Sequence, residues 1–250
     1  MKKIKFLIIF LFILSCNTDS VPDCIRKTGK IITQTYELPE FHEIMTFDEV
    51  VLFIKDSSEQ KVRVETGKNL LKDVKLEVVD GRLEIRNNNS CKLVRGSKRT
   101  KVYVSSPNLT FIHNGSPYDV KSTNTLKYQE LSLKTDNFEE KNDYFKNGNF
   151  DLDLEVEKLT ISSSSMSGYY LRGKADFFDI QLYGGVQRIE AAELEVINST
   201  IYHRGFNDVI LQVRDSISGQ LLATGNLILV NTPAFIDVEE KYKGKVYIEE

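Results

Sequence analysis

Asp151, Asp153, Glu155 and Glu157 alternate with Leu152, Leu154 and Val156. Alternate side chains of an extended strand share a face, so these four carboxylates form a row spaced about 6.5 to 7 Å apart. A hard cation wants six to eight oxygens at about 2.4 Å, and the row supplies acids for one. The plainer reading is a solvated strand face with lysines beside it. Arg172, Lys174, Asp176 and Asp179 gather mixed charge around the Leu171-Arg172-Gly173 corner. Such a group can grip an acidic sugar, or simply discourage sideways strand pairing. His42, His113 and His203 lie far apart, without the close spacing of common metal motifs. No Gly-x-Ser-x-Gly elbow supports a nucleophilic serine, and Gly184-Gly185 precedes a strand pattern instead of the helix that a phosphate loop needs. Tyr169-Tyr170, Phe177-Phe178, Tyr183 and Tyr202 carry the more useful chemistry, because aromatic faces on a flat β surface stack on sugar rings or on partner proteins. Alternation puts about half of them inside. The candidate ligand contacts are therefore Tyr169, Tyr170, Arg172 and Tyr183, with no catalytic residue, metal or cofactor expected.

A different chemistry stands at the N-terminus. Lys2, Lys3 and Lys5 precede an apolar run from Phe6 to Leu14, which ends abruptly at Ser15-Cys16. The run is shorter than the roughly 18 residues of a spanning helix and reads as a cleavable signal. Ile13-Leu14-Ser15-Cys16 resembles the lipobox of bacterial lipoproteins, which implies cleavage before Cys16 and lipid on its sulfur and amine. Lipid chains contribute about 0.8 kcal/mol per buried methylene, enough for a lasting membrane anchor. The expected division is a signal at 1–15, a lipidated tether at 16–38 and one domain at 39–250.

Without the three signal lysines, 30 basic groups face 36 acidic ones, with no basic block. Nucleic acid is an unfavourable partner for such a chain. With Cys16 assigned to lipid, Cys24 and Cys91 form either one disulfide or two separate thiols, and spacing does not choose between them.

From Phe41 onward the apolar residues alternate with period two between Gly, Asn, Asp and Ser breaks, and no window holds a helical period. The chain is expected to be all-β, with a hairpin turn at Asp80-Gly81, one short helical turn within Lys68–Asp73 and separate strands at Phe150–Val156 and Lys158–Ser162. Leu159-Thr160-Ile161 returns nineteen residues later as Phe178-Asp179-Ile180, each followed by a small-residue patch. Repeats of about twenty residues suit a β-solenoid with an inward apolar ladder; a β-sandwich shows similar short strands.

The order of several segments resembles the auto-transporter adhesin family of head GIN domains, common among Bacteroidetes lipoproteins. The segments are Val51-Leu52-Phe53-Ile54, Val62-Arg63-Val64-Glu65, Asp80-Gly81-Arg82-Leu83-Glu84-Ile85, Pro107-Asn108-Leu109, Leu222-Ala223-Thr224-Gly225-Asn226 and Gly244-Lys245-Val246-Tyr247-Ile248. The likeness covers roughly Phe41 to the C-terminus. It implies a right-handed parallel β-solenoid, with the N-terminal strands and hairpin packed in line, and a role in surface adhesion without catalytic residues. Turns in the family are Ser- and Gly-rich. Here Ser162–Gly168, Tyr183–Gly185 and His203–Gly205 carry bulkier groups, which puts regular stacking in question. The expected protein is a non-enzymatic lipoprotein of the bacterial cell envelope, at the outer membrane. Its partners are the membrane through lipid and a glycan or surface protein. The alternatives are a β-helix enzyme acting on acidic polysaccharide and an envelope accessory protein that binds another protein.

Overall fold

The computed structural model describes residues 28–88, 99–136 and 147–249. Cys16, Cys24 and Cys91, and with them the lipidation and disulfide expectations, lie outside these residues. The described chain is all-β apart from one 3-10 turn at Leu71–Asp73, which falls inside the expected helical turn. In chain order the first strands are β1 (Ile31–Tyr36), β2 (Glu43–Phe47), β3 (Val50–Asp56), β4 (Lys61–Gly67), β5 (Val74–Val79) and β6 (Arg82–Asn87). Next come β7 (Thr100–Ser106), β8 (Phe111–Gly115), β9 (Val120–Ser122), β10 (Leu126–Thr135) and β11 (Phe150–Ser163). The last are β12 (Gly168–Leu182), β13 (Arg188–His203), β14 (Val209–Leu221), β15 (Leu227–Leu229), β16 (Phe235–Glu240) and β17 (Val246–Ile248).

All seventeen strands among the described residues join one curled, mixed sheet. Pairing is antiparallel at β1–β4, β4–β7 and β5–β6. The β5–β6 hairpin turns at Asp80-Gly81, whose φ angles of 50° and 77° are those the expected dipeptide turn requires. From β8 onward the pairing is parallel, and its offsets match the repeat in the sequence. Leu159 pairs with Phe178 and Ile161 with Ile180.

Two unbroken ladders result. Val64, Val102, Leu52, Val120, Phe150, Tyr169, Ile189, Val209 and Leu227 stand in register across nine strands, all buried. Leu83, Ile44, Ile112, Leu133, Ile161, Ile180 and Ile201 form the second. Both belong to one apolar core. Burial of such side chains at about 25 cal/mol per Å² is the principal force holding the strands in this register, because a one-residue slip would turn each ladder to solvent.

Three sequence expectations change. Residues 31–36, expected in the tether, form β1, because Ile31-Ile32-Thr33-Gln34-Thr35-Tyr36 is a β-prone run that finds the edge of β4. The separate strands expected at 150–156 and 158–162 are one strand, β11, which crosses Glu157-Lys158 without a break. The bulky turns do stack: Val186 N–H donates to Ser165 O at 3.2 Å and Phe206 N–H to Gly185 O at 3.0 Å. Met166, Tyr183 and Arg204 point outward, whereas His203 turns into the core.

Candidate binding surface

Tyr170 and Arg172 lie on the outer face of the first half of β12, where alternation turns their inward neighbours, Tyr169 and Leu171, into the core. Pairing with β13 runs in step through Tyr170 and Glu190, then shifts by one before Arg172 and Glu193. On its other side β13 slips again, Ala191 facing Leu211 but Glu195 facing Gln212. Bulges of this kind re-aim side chains and open gaps in a ladder. Here the gap is a shallow open groove of about 150 Å³ lined by Tyr170, Leu171, Arg172, Glu190, Ala192 and Glu193. The Tyr170 ring is 42% exposed.

Arg172 is held in place by β11. Its Nη2 donates to Asp151 Oδ1 at 2.8 Å and its Nε to Asp153 Oδ1 at 2.9 Å. Lys121 reaches Asp151 from the other side at 3.1 Å. The hydrogen bond from Arg172 is the main reason the Asp151 carboxyl sits below its ordinary range, and the same bond raises the guanidinium. At the opposite wall Glu190 is bonded to Arg188, whereas Glu193 forms no ion pair among the described residues. The groove thus offers an aromatic face, an oriented guanidinium and one unpaired carboxylate.

The carboxylate row is engaged residue by residue by neighbouring side chains and does not gather around a cation. Asp151 and Asp153 hold Arg172, Glu155 pairs with Lys127 at 2.6 Å, and Glu157 accepts from Gln129 at 3.5 Å. No group of three or more His, Cys, Asp or Glu among the described residues is placed to hold a metal. The Arg172, Lys174, Asp176 and Asp179 cluster does not assemble either: Arg172 turns back to β11, and Asp179 accepts from Gln181 and Thr200, both at 2.7 Å.

Tyr169 is a correction to the candidate set. Its ring is fully buried, stacked on Phe150 at 5.3 Å and 13°, and cannot touch a ligand. Burial pushes its hydroxyl up to about 12, and the oxygen lies 2.7 Å from Thr135 Oγ1. Thr135, Ser163, Ser165 and Ser167 continue a buried hydroxyl cluster behind it. Tyr183 follows the far end of β12, half-exposed beside Tyr202 at 5.7 Å, and is not brought to the groove. His203 is buried. Its Nδ1 accepts from Gly205 N–H at 3.2 Å and its Nε2 donates to Asn207 O at 2.9 Å, so the ring is neutral, and burial lowers its pKa. His113 Nε2 lies 3.3 Å from Asp136 Oδ1, off the line of a hydrogen bond, and both atoms are buried.

The fold and this surface define a class: an all-β protein that offers a groove on the outer face of its sheet. The chain belongs to the family described as "Putative auto-transporter adhesin, head GIN domain", whose model matches residues 40–233. Among solved structures it is similar to a putative adhesin from Bacteroides fragilis NCTC 9343, at 22% identity and TM-score 0.76, over 89% of this chain and 99% of that one. A putative adhesin from Parabacteroides distasonis ATCC 8503 matches at 18% identity and TM-score 0.64, over 89% and 98%. A putative lipid binding protein from the same strain matches at 14% identity and TM-score 0.61, over 88% and 98%. These likenesses support the fold. No curated protein matches the chain. The family description fits a protein of the cell surface or envelope.

Proposed function

We propose that this chain is a non-enzymatic, lipid-anchored binding module of the cell envelope, built as a right-handed parallel solenoid, and that the groove beside Tyr170 contacts its ligand. The observation that carries the reading is the double bulge of β13, which interrupts the ladder where the exposed Tyr170 and the oriented Arg172 line one groove. Right-handed winding follows the usual hand of parallel crossovers. The ligand class is a neutral or amino-bearing glycan. A pyranose ring stacks on Tyr170, while its hydroxyl or ammonium groups meet Arg172 and Glu193. An acidic polysaccharide fits less well, because the Arg172 charge is already answered by Asp151 and Asp153, and Glu190 and Glu193 add two further negative charges.

A glycan-array and whole-cell binding screen of the mature chain tests the groove, and a screen negative on both would remove it. The anchor has its own test. Cys16→Ala should leave the chain uncleaved and unlabelled by a fatty-acid analogue, and persistent labelling of the variant would contradict lipidation at Cys16.

A further inference from the structure

We infer that the stacked turns on one side of the sheet form a docking ridge for an anionic lipid bilayer. The turns joining β11–β12, β12–β13, β13–β14, β14–β15 and β16–β17 lie one on another. Val186 N–H donates to Ser165 O, Phe206 N–H to Gly185 O, Gly225 N–H to Gly205 O, and Gly244 N–H to Ala223 O, at 2.9 to 3.2 Å. With strands about 4.8 Å apart, five such turns make a column about 19 Å long.

Four of the five turns carry an exposed apolar side chain near the tip: Met166 at 49%, Val186 at 40%, Phe206 at 59% and Tyr242 at 59% exposure. A single exposed hydrophobe is ordinary, but a repeated one along a column makes an apolar edge. The sequence flagged three of these turns for their bulk, and of it the core takes up His203 but not Met166 or Tyr183.

Charge selects the occupant. In a chain whose residues are 28% charged, the first four turns carry only Arg204 and Asp208. Asp208 is occupied by the Asn226 backbone and side-chain N–H groups at 3.2 and 2.9 Å. The fifth turn adds Lys241, Lys243 and Lys245 around Tyr242. Lys241 and Lys245 pair with Glu239 and Glu240, and Lys243 lies over the Tyr242 ring at 5.8 Å without a carboxylate partner among the described residues. An apolar edge with an interfacial tyrosine and two basic groups, Arg204 and Lys243, that form no ion pair among the described residues matches an anionic lipid surface. The ridge is independent of the groove. It rests on the proposed anchor only for proximity: Thr28 lies twelve residues after Cys16, a reach of at most about 40 Å.

The test is flotation of residues 16–250 carrying Cys16→Ser, so that no lipid assists, with phosphatidylcholine vesicles that either contain or lack phosphatidylglycerol. The described sheet begins after residue 27, so removal of the signal takes nothing from it. The unlipidated chain should float with the anionic vesicles and release in high salt. Phe206→Ser should weaken binding at least about tenfold, and Lys243→Ala about fivefold. Met166→Ser provides a second apolar variant, and all three should melt at the wild-type temperature because the side chains are exposed. Absence of binding to anionic vesicles, or equal binding by Phe206→Ser and wild type, would overturn the inference. So would concentration-dependent dimerisation abolished by Phe206→Ser, which would assign the ridge to a second copy. Failure of the anchor would show separately, as an unlabelled Cys16 in the native chain.

Discussion

Replacing Tyr169 separates a core role from a ligand role at a residue whose type suggests either. Tyr169→Ala removes a fully buried ring and its stack on Phe150, 5.3 Å away. Large-to-small changes of this kind cost about 3 to 5 kcal/mol. Tyr169→Phe keeps the ring and loses only the hydroxyl contact with Thr135 at 2.7 Å. Thr135 Oγ1 retains Ser163 at 2.8 Å and Ser165 at 2.9 Å, so no group is left orphaned and the cost should be about 1 kcal/mol. Urea denaturation followed by far-ultraviolet circular dichroism should therefore show a loss at least about three times larger for Ala than for Phe. Equal losses would mean that the hydroxyl cluster, not the ring, holds this part of the core. A Phe variant of unchanged stability that no longer binds ligand would show that the side chain reaches the surface after all.

Gly219 and Gly184 share a φ of +141°, but a Cβ on Gly219 would lie 1.9 Å from Ile201 O, whereas Gly184 has nothing within 4 Å. Gly184→Ala should cost only the backbone strain, about 1 to 3 kcal/mol, and Gly219→Ala at least about 2 kcal/mol more; equal melting temperatures would contradict the close approach. Because His203 is buried neutral with a lowered pKa, its contribution is complete above the unfolded value of about 6.5 and is lost as pH falls through the folded value. Melting temperatures measured between neutral and mildly acidic pH should fall accordingly, and His203→Gln should flatten that slope. Arg172→Ala breaks two ion pairs whose partners are a third or more exposed, so it should cost about 1 kcal/mol or less, and less still in salt.

Much of the fold is legible in the chain because the sheet repeats itself. The Asp80-Gly81 turn and the nineteen-residue echo of Leu159 in Phe178 both follow from local rules, and the structure places each as read. The same echo carries Phe150 onto Tyr169 and Asp151 onto Tyr170, which decides the inward and outward members of the tyrosine pair; alternation without register does not. β1 escapes notice because an edge strand needs a partner thirty residues away, and nothing near Ile31 announces β4. The groove is half legible. Tyr170 and Arg172 are suggested by type, but Glu190 and Glu193 become neighbours only through the bulges. Their one local sign is the Ala191-Ala192 doublet, where the alternation of β13 places two outward residues between Ala191 and Leu194.

The central claim is that the Tyr170 groove binds ligand, and its most direct test is the affinity of wild type and Tyr170→Ala for a glycan captured in the binding screen. Stacking on an aromatic ring is worth about 0.5 to 1.5 kcal/mol beyond area burial. With the buried ring face added, the variant should bind at least about tenfold more weakly while melting unchanged, since Tyr170 lies outside the core. Undiminished affinity in Tyr170→Ala would contradict the account.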